Sequence, residues 1–236
     1  MPPGADIASN LEDISRRLRA AAARSGRNPG DILLVAVSKT VPPDVVRTAA
    51  AAGQRHFGEN RVQEGLDKIG ATGDLQLEWH LIGHLQSNKA KKAASAFAWI
   101  HSIDSVDLLR KVDGTAAEAG IRPRILIQVD LAHESTKFGA DEALVGDIAK
   151  AAMDAKAVDL RGLMIVPPIA EDPEQSRPWF RRLRDVRDAL VSGGIPAANL
   201  AHLSMGMSHD FEVAIAEGAT MVRVGTSIFG HRAPVA

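Results

Sequence analysis

Short runs of apolar and β-branched residues alternate with helical patterns along almost all of the 236-residue chain. Several runs are apolar throughout, which is typical of parallel strands buried on both faces. The strand candidates cover residues 32–39, 54–60, 77–83, 97–104, 124–130, 160–166, 199–206 and 220–226. Strands alternating with helices form right-handed βαβ units, so eight units predict an α/β fold, a single (β/α)₈ TIM barrel spanning residues 1–236.

The helical patterns complete this prediction. They cover residues 43–53, 105–120, 141–155 and 179–194 between strands, and residues 6–26 ahead of the first strand. Only "SIFGHRAPVA" follows the last strand, too little for a full helix. We therefore expect the N-terminal helix to fill the vacant outer position, with residues 1–5 and 233–236 flexible. A doubly wound sheet is the alternative, but no G-x-G-x-x-G follows the first strand.

Charge and cysteine content exclude several classes of protein. The formal net charge is −1, so no strong field attracts nucleic acid or a membrane surface. Cysteine is absent, which excludes disulfides, thiolate metal sites and cysteine nucleophiles. No apolar run is long enough to span a bilayer, and the first residues do not resemble a signal peptide. We expect a cytoplasmic monomer that contacts neither nucleic acid nor membrane.

Lys39, in "VAVSKTVPP", follows the first apolar strand directly. A surface lysine whose stem packs on the protein is the commonest alternative. In a TIM barrel, however, functional groups lie where strands end, so the amine is expected to open into the barrel mouth. Desolvation there would lower its pKa and leave a nucleophile able to form a Schiff base.

Two glycine-containing turns follow the last two strands. "LSMGMSHDFEVAIAEG" predicts a strand, a turn and a helix, with Ser208 as N-cap, Asp210 in the first turn and a hydroxyl from Ser204. "VRVGTSIFG" adds a Gly-Thr turn after strand eight. These turns could merely change the chain direction. Loops after strands seven and eight are nevertheless the recurrent phosphate site of such barrels.

Closure of the barrel brings these signals together. Lys39 should lie two strand spacings, ~10 Å, from the "SMGMS" turn. A small molecule with a phosphate at one end and an aldehyde at the other fits this gap, and pyridoxal 5′-phosphate (PLP) is the natural candidate. Arg223 alternates with Val222 and Val224 and so faces the opposite way. A guanidinium at the pyridine nitrogen can only donate, which would make the cofactor a weak electron sink.

At this point the motifs "VAVSKT", "HFGENRVQE", "WHLIGHLQSNK", "ESTKFG", "GLMIVPP" and "LSMGMSHDFEVAIAEGATMVRVGTSIFG" resemble the pyridoxal phosphate homeostasis protein family, over residues 5–232. The resemblance implies a PLP fold type III barrel, like the N-terminal domain of alanine racemase. It implies a role in keeping free PLP in balance, without robust catalytic turnover. The implied partners are PLP-dependent apo-enzymes, to which the protein would transfer PLP. By motif matching, the implied Schiff-base lysine is Lys39, and the other implied cofactor-binding residues are Asn60, Ser204, Gly206, Arg223, Gly225 and Thr226.

Other charged or metal-ligating residues have simpler interpretations. His80 and His84 are four apart, but the segment is strand-like and no glutamate follows His80, so we predict no metal site. His80 is instead expected inside the barrel. Lys89, Lys91 and Lys92 are expected on a solvated helix face. Lys137, after strand five, could add positive potential at the mouth or briefly hold an aldehyde during release.

Three classes of function remain open: a PLP-binding homeostasis protein, a PLP-dependent amino-acid racemase, and a Schiff-base aldolase acting on a phosphorylated substrate. A racemase needs a base on each face of the substrate, and alanine racemase supplies the second as a tyrosine. This chain has no tyrosine, although a histidine could substitute. Aldolase lysines usually follow a middle strand, whereas strand six here ends in "VPP". We therefore predict no catalytic residue.

Overall fold

The computed structural model describes residues 6–132 and 138–230. The strands are β1 (Leu33–Val37), β2 (His56–Glu59), β3 (Glu78–Leu81), β4 (Trp99–Ile103), β5 (Arg124–Asp130), β6 (Ala140–Asp141), β7 (Asp159–Met164), β8 (His202–Met207) and β9 (Met221–Val224). The helices are α1 (Ile7–Arg24), α2 (Pro43–Ala51), α3 (Val62–Ala71), α4 (Ala90–Ala96), α5 (Val106–Ala119), α6 (Glu142–Met153), α7 (Arg177–Ser192), α8 (Phe211–Ala216) and α9 (Thr226–Phe229). The ends predicted to be flexible, 1–5 and 233–236, lie outside the described residues.

The strands form a closed parallel barrel. Their order is β4-β3-β2-β1-β9-β8-β7-β5-β6, and the pairing of β4 with β5 closes the ring. The eight long strands are those predicted, so the TIM-barrel prediction is confirmed. The two-residue β6 was not predicted, because a strand that pairs with β5 at only two residues is too short to show a periodicity.

Strand ends differ from prediction where local turn chemistry prevails. The strand predicted from residue 199 begins at His202, because a 3₁₀ turn over Ala197–Leu200 follows Pro196. At the other end of the chain, Thr226 belongs to helix α9 rather than to the last strand. Lys39 likewise lies two residues beyond β1.

Helix α1 covers the gap that the short final helix leaves. It packs against α8, α9 and α2, and it buries the apolar stripe Ile7, Leu11, Ile14 and Leu18. Long-range hydrogen bonds fix its position: Asn10 Nδ2 donates to the carbonyl of Ile228 at 2.9 Å. The predicted outer position of the N-terminal helix is confirmed.

The buried apolar side chains of the described residues form two separate cores. The larger core lies between the strands and the ring of helices. The smaller one lies inside the barrel and consists of Trp99, Leu126, Met164 and Met221. Among the residues that the structure describes, no helix combines the length and the hydropathy needed to cross a membrane.

Candidate functional site

A cavity of about 350 Å³ opens at the carboxyl ends of the strands. Its size lies within the usual range for sites that hold small molecules. Five of the predicted site residues line it: Lys39, Asn60, Arg223, Gly225 and Thr226. The other lining residues were not among the predicted cofactor-binding residues, although Met207 and Ser208 belong to the turn predicted to hold a phosphate: Val37, Ile82, Val166, Met207, Ser208 and His209.

Lys39 lines the cavity, but the structure does not bury it. Val37 and Ser38 ahead of it are buried, whereas Lys39 itself is exposed. The expectation that the protein desolvates this amine is therefore wrong for the barrel as it stands. Strand β1 ends at Val37, so Lys39 belongs to the loop at the cavity rim rather than to the sheet.

A buried ionic cluster holds the segment that carries Lys39. Lys68 Nζ, from α3, donates to the carbonyl of Ser38 at 2.6 Å, to Glu59 Oε1 at 2.8 Å and to Glu64 Oε1 at 2.7 Å. The Ser38 hydroxyl also donates to Glu59 Oε1, at 2.6 Å. Burial of Glu59 raises its pKa, although Lys68 and Ser38 act in the opposite direction. We call Ser38, Glu59, Glu64 and Lys68 the ionic cluster.

The residue after Lys39 is held from the same helix. The N–H of Thr40 donates to Glu64 Oε1, and Thr40 adopts φ +61, a left-handed conformation unusual for a residue other than glycine. Lys39 thus lies between two residues whose backbone groups both bond to α3 side chains. This arrangement fixes the backbone from which the lysine extends.

Asn60 is positioned by close backbone packing. A Cβ atom on Gly83, in the loop after β3, would lie 2.2 Å from the carbonyl oxygen of Asn60. Only glycine therefore fits at residue 83, and the two loops press together at the cavity rim. Asn60 also borders a second cavity, whose polar lining includes Arg61, His84 and Lys89.

Arg223 points into the barrel and forms part of the cavity floor. Val222 and Val224 belong to the outer core, which confirms the predicted alternation on β9. Arg223 is 3 % exposed; its Nη1 donates to Ser204 Oγ at 2.7 Å and its Nη2 to the carbonyl of Ile165 at 2.8 Å. Burial lowers the pKa of Arg223 to about 10, so it stays protonated at neutral pH.

The turn after β8 contributes differently from the prediction. Ser208 is not the helix N-cap: α8 begins after Asp210, whose carboxylate accepts the N–H of Met207 at 2.7 Å. The Ser208 hydroxyl is directed to the neighbouring strand instead, where it accepts the N–H of Gly225 at 3.1 Å. It thereby joins the two turns that were predicted to hold a phosphate.

Ser204 and Gly206 lie behind the cavity wall rather than along it. Ser204 is fully buried below Arg223. Gly206 has φ +92, and a Cβ there would lie 2.6 Å from the Cβ of Ala214, so glycine lets the strand end approach α8. Their predicted contact with a phosphate stays a prediction.

The remaining predicted residues are placed as follows. His80 is fully buried inside the barrel, as predicted, and His84 stacks on Phe138 with ring centroids 3.7 Å apart. Lys91 and Lys92 are exposed on α4, whereas Lys89 is half-buried in the turn before it. The prediction for Lys137 lies outside the described residues.

Comparison with known proteins agrees with this geometry. The family model described as "Alanine racemase, N-terminal domain" matches residues 9–233. The pyridoxal phosphate homeostasis protein of Aquifex aeolicus is 44% identical over 222 residues, covering 94% of this chain and 96% of the relative. The chain belongs to the pyridoxal phosphate homeostasis protein family. The member from Escherichia coli is 42% identical over 233 residues, covering 96% of this chain and 97% of its own.

Solved structures show the same fold. PipY of Synechococcus elongatus, solved with PLP bound, superposes with a TM-score of 0.81 at 43% identity and covers 92% of this chain and 100% of its own. Alanine racemase from Clostridium difficile has a TM-score of 0.72 at 15% identity, a likeness of fold alone. This chain covers 57% of that racemase.

Proposed function

We propose that this chain binds pyridoxal 5′-phosphate as a Schiff base on Lys39 and serves PLP homeostasis without robust catalytic turnover. One observation supports this most: Lys39 and Arg223 line one cavity together with the Gly225–Thr226 turn. An amine, a permanent donor and a Gly-Thr turn at the end of the last strand suit the aldehyde, the ring nitrogen and the phosphate respectively.

The donor set and the size of the cavity both fit PLP. Its volume of about 350 Å³ suits one small cofactor. Arg223 donates from both terminal nitrogens, Nη1 and Nη2, and remains charged. A ring nitrogen that faces it would therefore accept a hydrogen bond and stay unprotonated. PLP would supply electron-sink chemistry when bound, and Arg223 would weaken that chemistry. This supports a carrier more than an enzyme of carbanion chemistry.

The wider context of the proposal follows from the family. PipY was solved with PLP bound, and the relatives carry the name pyridoxal phosphate homeostasis protein. We infer that the chain acts as one barrel domain, as a monomer, and passes PLP to apo-enzymes that depend on it. Its cytoplasmic location stays a prediction.

A racemase is the second candidate, because His209 lines the cavity and is exposed. A histidine there could serve as the second base that the missing tyrosine would otherwise supply. Incubation of the loaded protein with L-alanine and L-serine, followed by chiral chromatography, tests this. Catalytic formation of the D-isomer, lost in His209→Asn, would replace the carrier proposal by the racemase.

The main test is an absorbance titration of the full chain with PLP, followed by borohydride reduction and peptide mass spectrometry. The wild type should turn yellow and retain the pyridoxyl group on the peptide that contains Lys39. Lys39→Ala should retain none, whereas Lys91→Ala, which removes an exposed lysine on α4, should behave as the wild type. Equal labelling of Lys39→Ala would refute the proposal, and a wild type that stays colourless would favour the aldolase.

A further inference from the structure

A line of polar side chains, buried except for the half-buried His56, crosses the barrel interior beneath the cavity. His56 Nδ1 lies 3.1 Å from His80 Nε2, and His80 Nδ1 lies 3.0 Å from His101 Nε2. His101 Nδ1 lies 3.0 Å from Ser204 Oγ, which accepts from Arg223 Nη1. We call His56, His80, His101 and Ser204 the histidine chain. It runs from the start of β2 through β3, β4 and β8 to the arginine of β9.

Arg223 fixes the direction of every hydrogen bond in this chain. A guanidinium only donates, so Ser204 Oγ must accept from it. Among the described residues, the Ser204 hydroxyl bonds otherwise only to His101, so its proton must go to Nδ1 of His101. A neutral imidazole has one donor nitrogen and one acceptor nitrogen, so His101 donates from Nε2 to Nδ1 of His80. His80 then donates from Nε2 to Nδ1 of His56.

The chain is consistent only if the imidazoles are neutral. A charged His101 would donate from both nitrogens, and the Ser204 hydroxyl would then receive two donors and lose the acceptor for its own proton. Burial lowers the pKa of His101 and of His80 well below 6.5, and the nearby Arg223 and Arg124 act in the same direction. The environment thus favours the charge state that the hydrogen bonds require.

The groups around the chain support this description. Trp99 stacks on His80 with centroids 5.5 Å apart and an interplanar angle of 5°. At the outer end of the chain, which is His56, the charge of Glu78 is balanced by Arg124. Nη1 of Arg124 lies 2.8 Å from Oε2 of Glu78. His202 bonds to Thr220, 3.2 Å away, and stands outside the chain.

A metal ion is the competing explanation for the outer end. Ligand atoms of His56, Glu78 and His80 all lie within 4.8 Å of one another. In the direction that Arg223 dictates, however, Nε2 of His80 carries a proton and has no lone pair to give. Arg124 already occupies Glu78 as well. The hydrogen-bond chain accounts for these contacts without an ion.

We propose that Ser204, His101, His80 and His56 are positioning residues for Arg223. They form one chain of hydrogen bonds between neutral groups, in which Ser204, His101 and His80 each donate away from the cavity, and they fix the guanidinium at the cavity floor. Ser204 thereby acts on the cavity through Arg223 rather than as a phosphate contact. That the guanidinium faces a cofactor ring rests on the proposed function. The direction of the chain does not.

The first experiment reads the protonation state directly. Long-range ¹H–¹⁵N correlation spectra of the PLP-free, ¹⁵N-labelled full chain at about pH 7 distinguish Nδ1–H, Nε2–H and charged rings. The signals are assigned with single His→Asn variants. His56, His80 and His101 should all carry their proton on Nε2. A proton on Nδ1 of His101, or a charged His101, would overturn the proposal. So would a zinc titration that removes the Nε2 proton of His80 at micromolar metal.

The second experiment tests the effect on the cavity. Ser204→Ala deprives Arg223 of an acceptor, and PLP should bind roughly ten- to a hundredfold more weakly. His101→Leu should have the same direction of effect, whereas His101→Asn, which keeps a polar acceptor, should lose less. His202→Asn is the matched control inside the barrel and should retain the wild-type affinity. Wild-type affinity in Ser204→Ala would refute the positioning role.

The two experiments separate this proposal from the proposed function. If the wild type fails to bind PLP but shows three Nε2–H rings, the proposed function is wrong and the chain stands. If it binds PLP but His101 carries its proton on Nδ1, the chain is wrong and the proposed function stands.

Discussion

Lys39 and Arg223 reach one cavity from neighbouring strands, yet the side chains beneath them work in different ways. Below Lys39, Lys68 bonds to two carboxylates, so the ionic cluster carries charges of both signs. Below Arg223, the histidine chain carries no charge and depends on the direction of its protons. Most members of each group are buried. The ionic cluster bonds to the backbone on both sides of Lys39, whereas the histidine chain bonds to the guanidinium of Arg223.

The difference concerns what each group tolerates. A buried ion pair is costly to break, because the remaining charge loses its partner in a medium that solvates it poorly. A neutral chain tolerates a polar substitute but not a proton, since a charged imidazole reverses the direction of its bonds. We therefore expect the ionic cluster to be sensitive to loss of Lys68 and the histidine chain to be sensitive to acid.

The largest expected effect is that of Lys68→Met. It leaves Glu59 fully buried without its cation, next to Glu64. The free energy of unfolding should fall by about 3–5 kcal/mol. Urea denaturation followed by circular dichroism measures it, with Lys91→Met on the exposed face of α4 as control, expected within about 0.5 kcal/mol of the wild type. A loss below about 1 kcal/mol for Lys68→Met would mean that the cluster is solvated and does not hold the Lys39 segment through buried charges.

The second effect is the response of the histidine chain to acid. His80 and His101 have pKa values well below 6.5 in the folded state, so the unfolded chain binds more protons as the pH falls through 6.5. Stability is therefore complete above that pH and is lost below it, by about 1.4 kcal/mol per pH unit for each histidine.

His101→Asn removes one of these groups, so its stability should fall less steeply between about pH 7 and about pH 5. The difference in free energy of unfolding between the wild type and His101→Asn should therefore shrink by about 2 kcal/mol from about pH 7 to about pH 5. His202→Asn gives the internal comparison: burial also lowers the pKa of His202, but that ring is only partly buried, so its removal should flatten the curve less. Parallel curves for the wild type and His101→Asn would show that His101 is not held neutral.

The smallest effect is that of Glu59→Gln, and it sharpens the contrast. The pKa of Glu59 is raised above 4.5, so this carboxyl contributes stability that is lost as the pH rises through the raised value. This sign is opposite to that of the histidines. In the Glu59→Gln variant the charges of Lys68 and Glu64 still balance, so stability at pH 7 should stay within about 1 kcal/mol of the wild type. A loss as large as that of Lys68→Met would show that Glu59, rather than the lysine, holds the cluster together.

The sequence predicted the features that depend on local periodicity. Alternation along the chain identified the eight long strands, and alternation on β9 directed Arg223 inward. The position of Lys39 after the first strand predicted that it lines the cavity. It did not predict that Lys39 is exposed, because no local pattern shows where the backbone leaves the sheet. The prediction of Ser208 as a helix cap is wrong, because its hydroxyl bonds to Gly225, seventeen residues away, and no local pattern shows this contact.

The groups beneath the cavity could not be predicted in the same way. His101 and Ser204 are 103 residues apart in sequence, and their contact depends on the stagger of strands across the barrel. A signal was nevertheless present: His56, His80, His101 and His202 each fall within a strand. Histidines repeated on inward positions of several strands indicate a polar barrel interior.

Helix α1 has a consequence for how the barrel is assembled. It docks on α8 and α9, near the other end of the chain, through contacts such as Arg17 with Glu212 and Asn10 with Ile228. The first strand likewise pairs with the last. Helix α1 and β1 can contact α2 and β2 early, but their contacts with α8, α9 and β9 form only after those later segments have left the ribosome. Closure of the ring and completion of the cavity become one late event during synthesis.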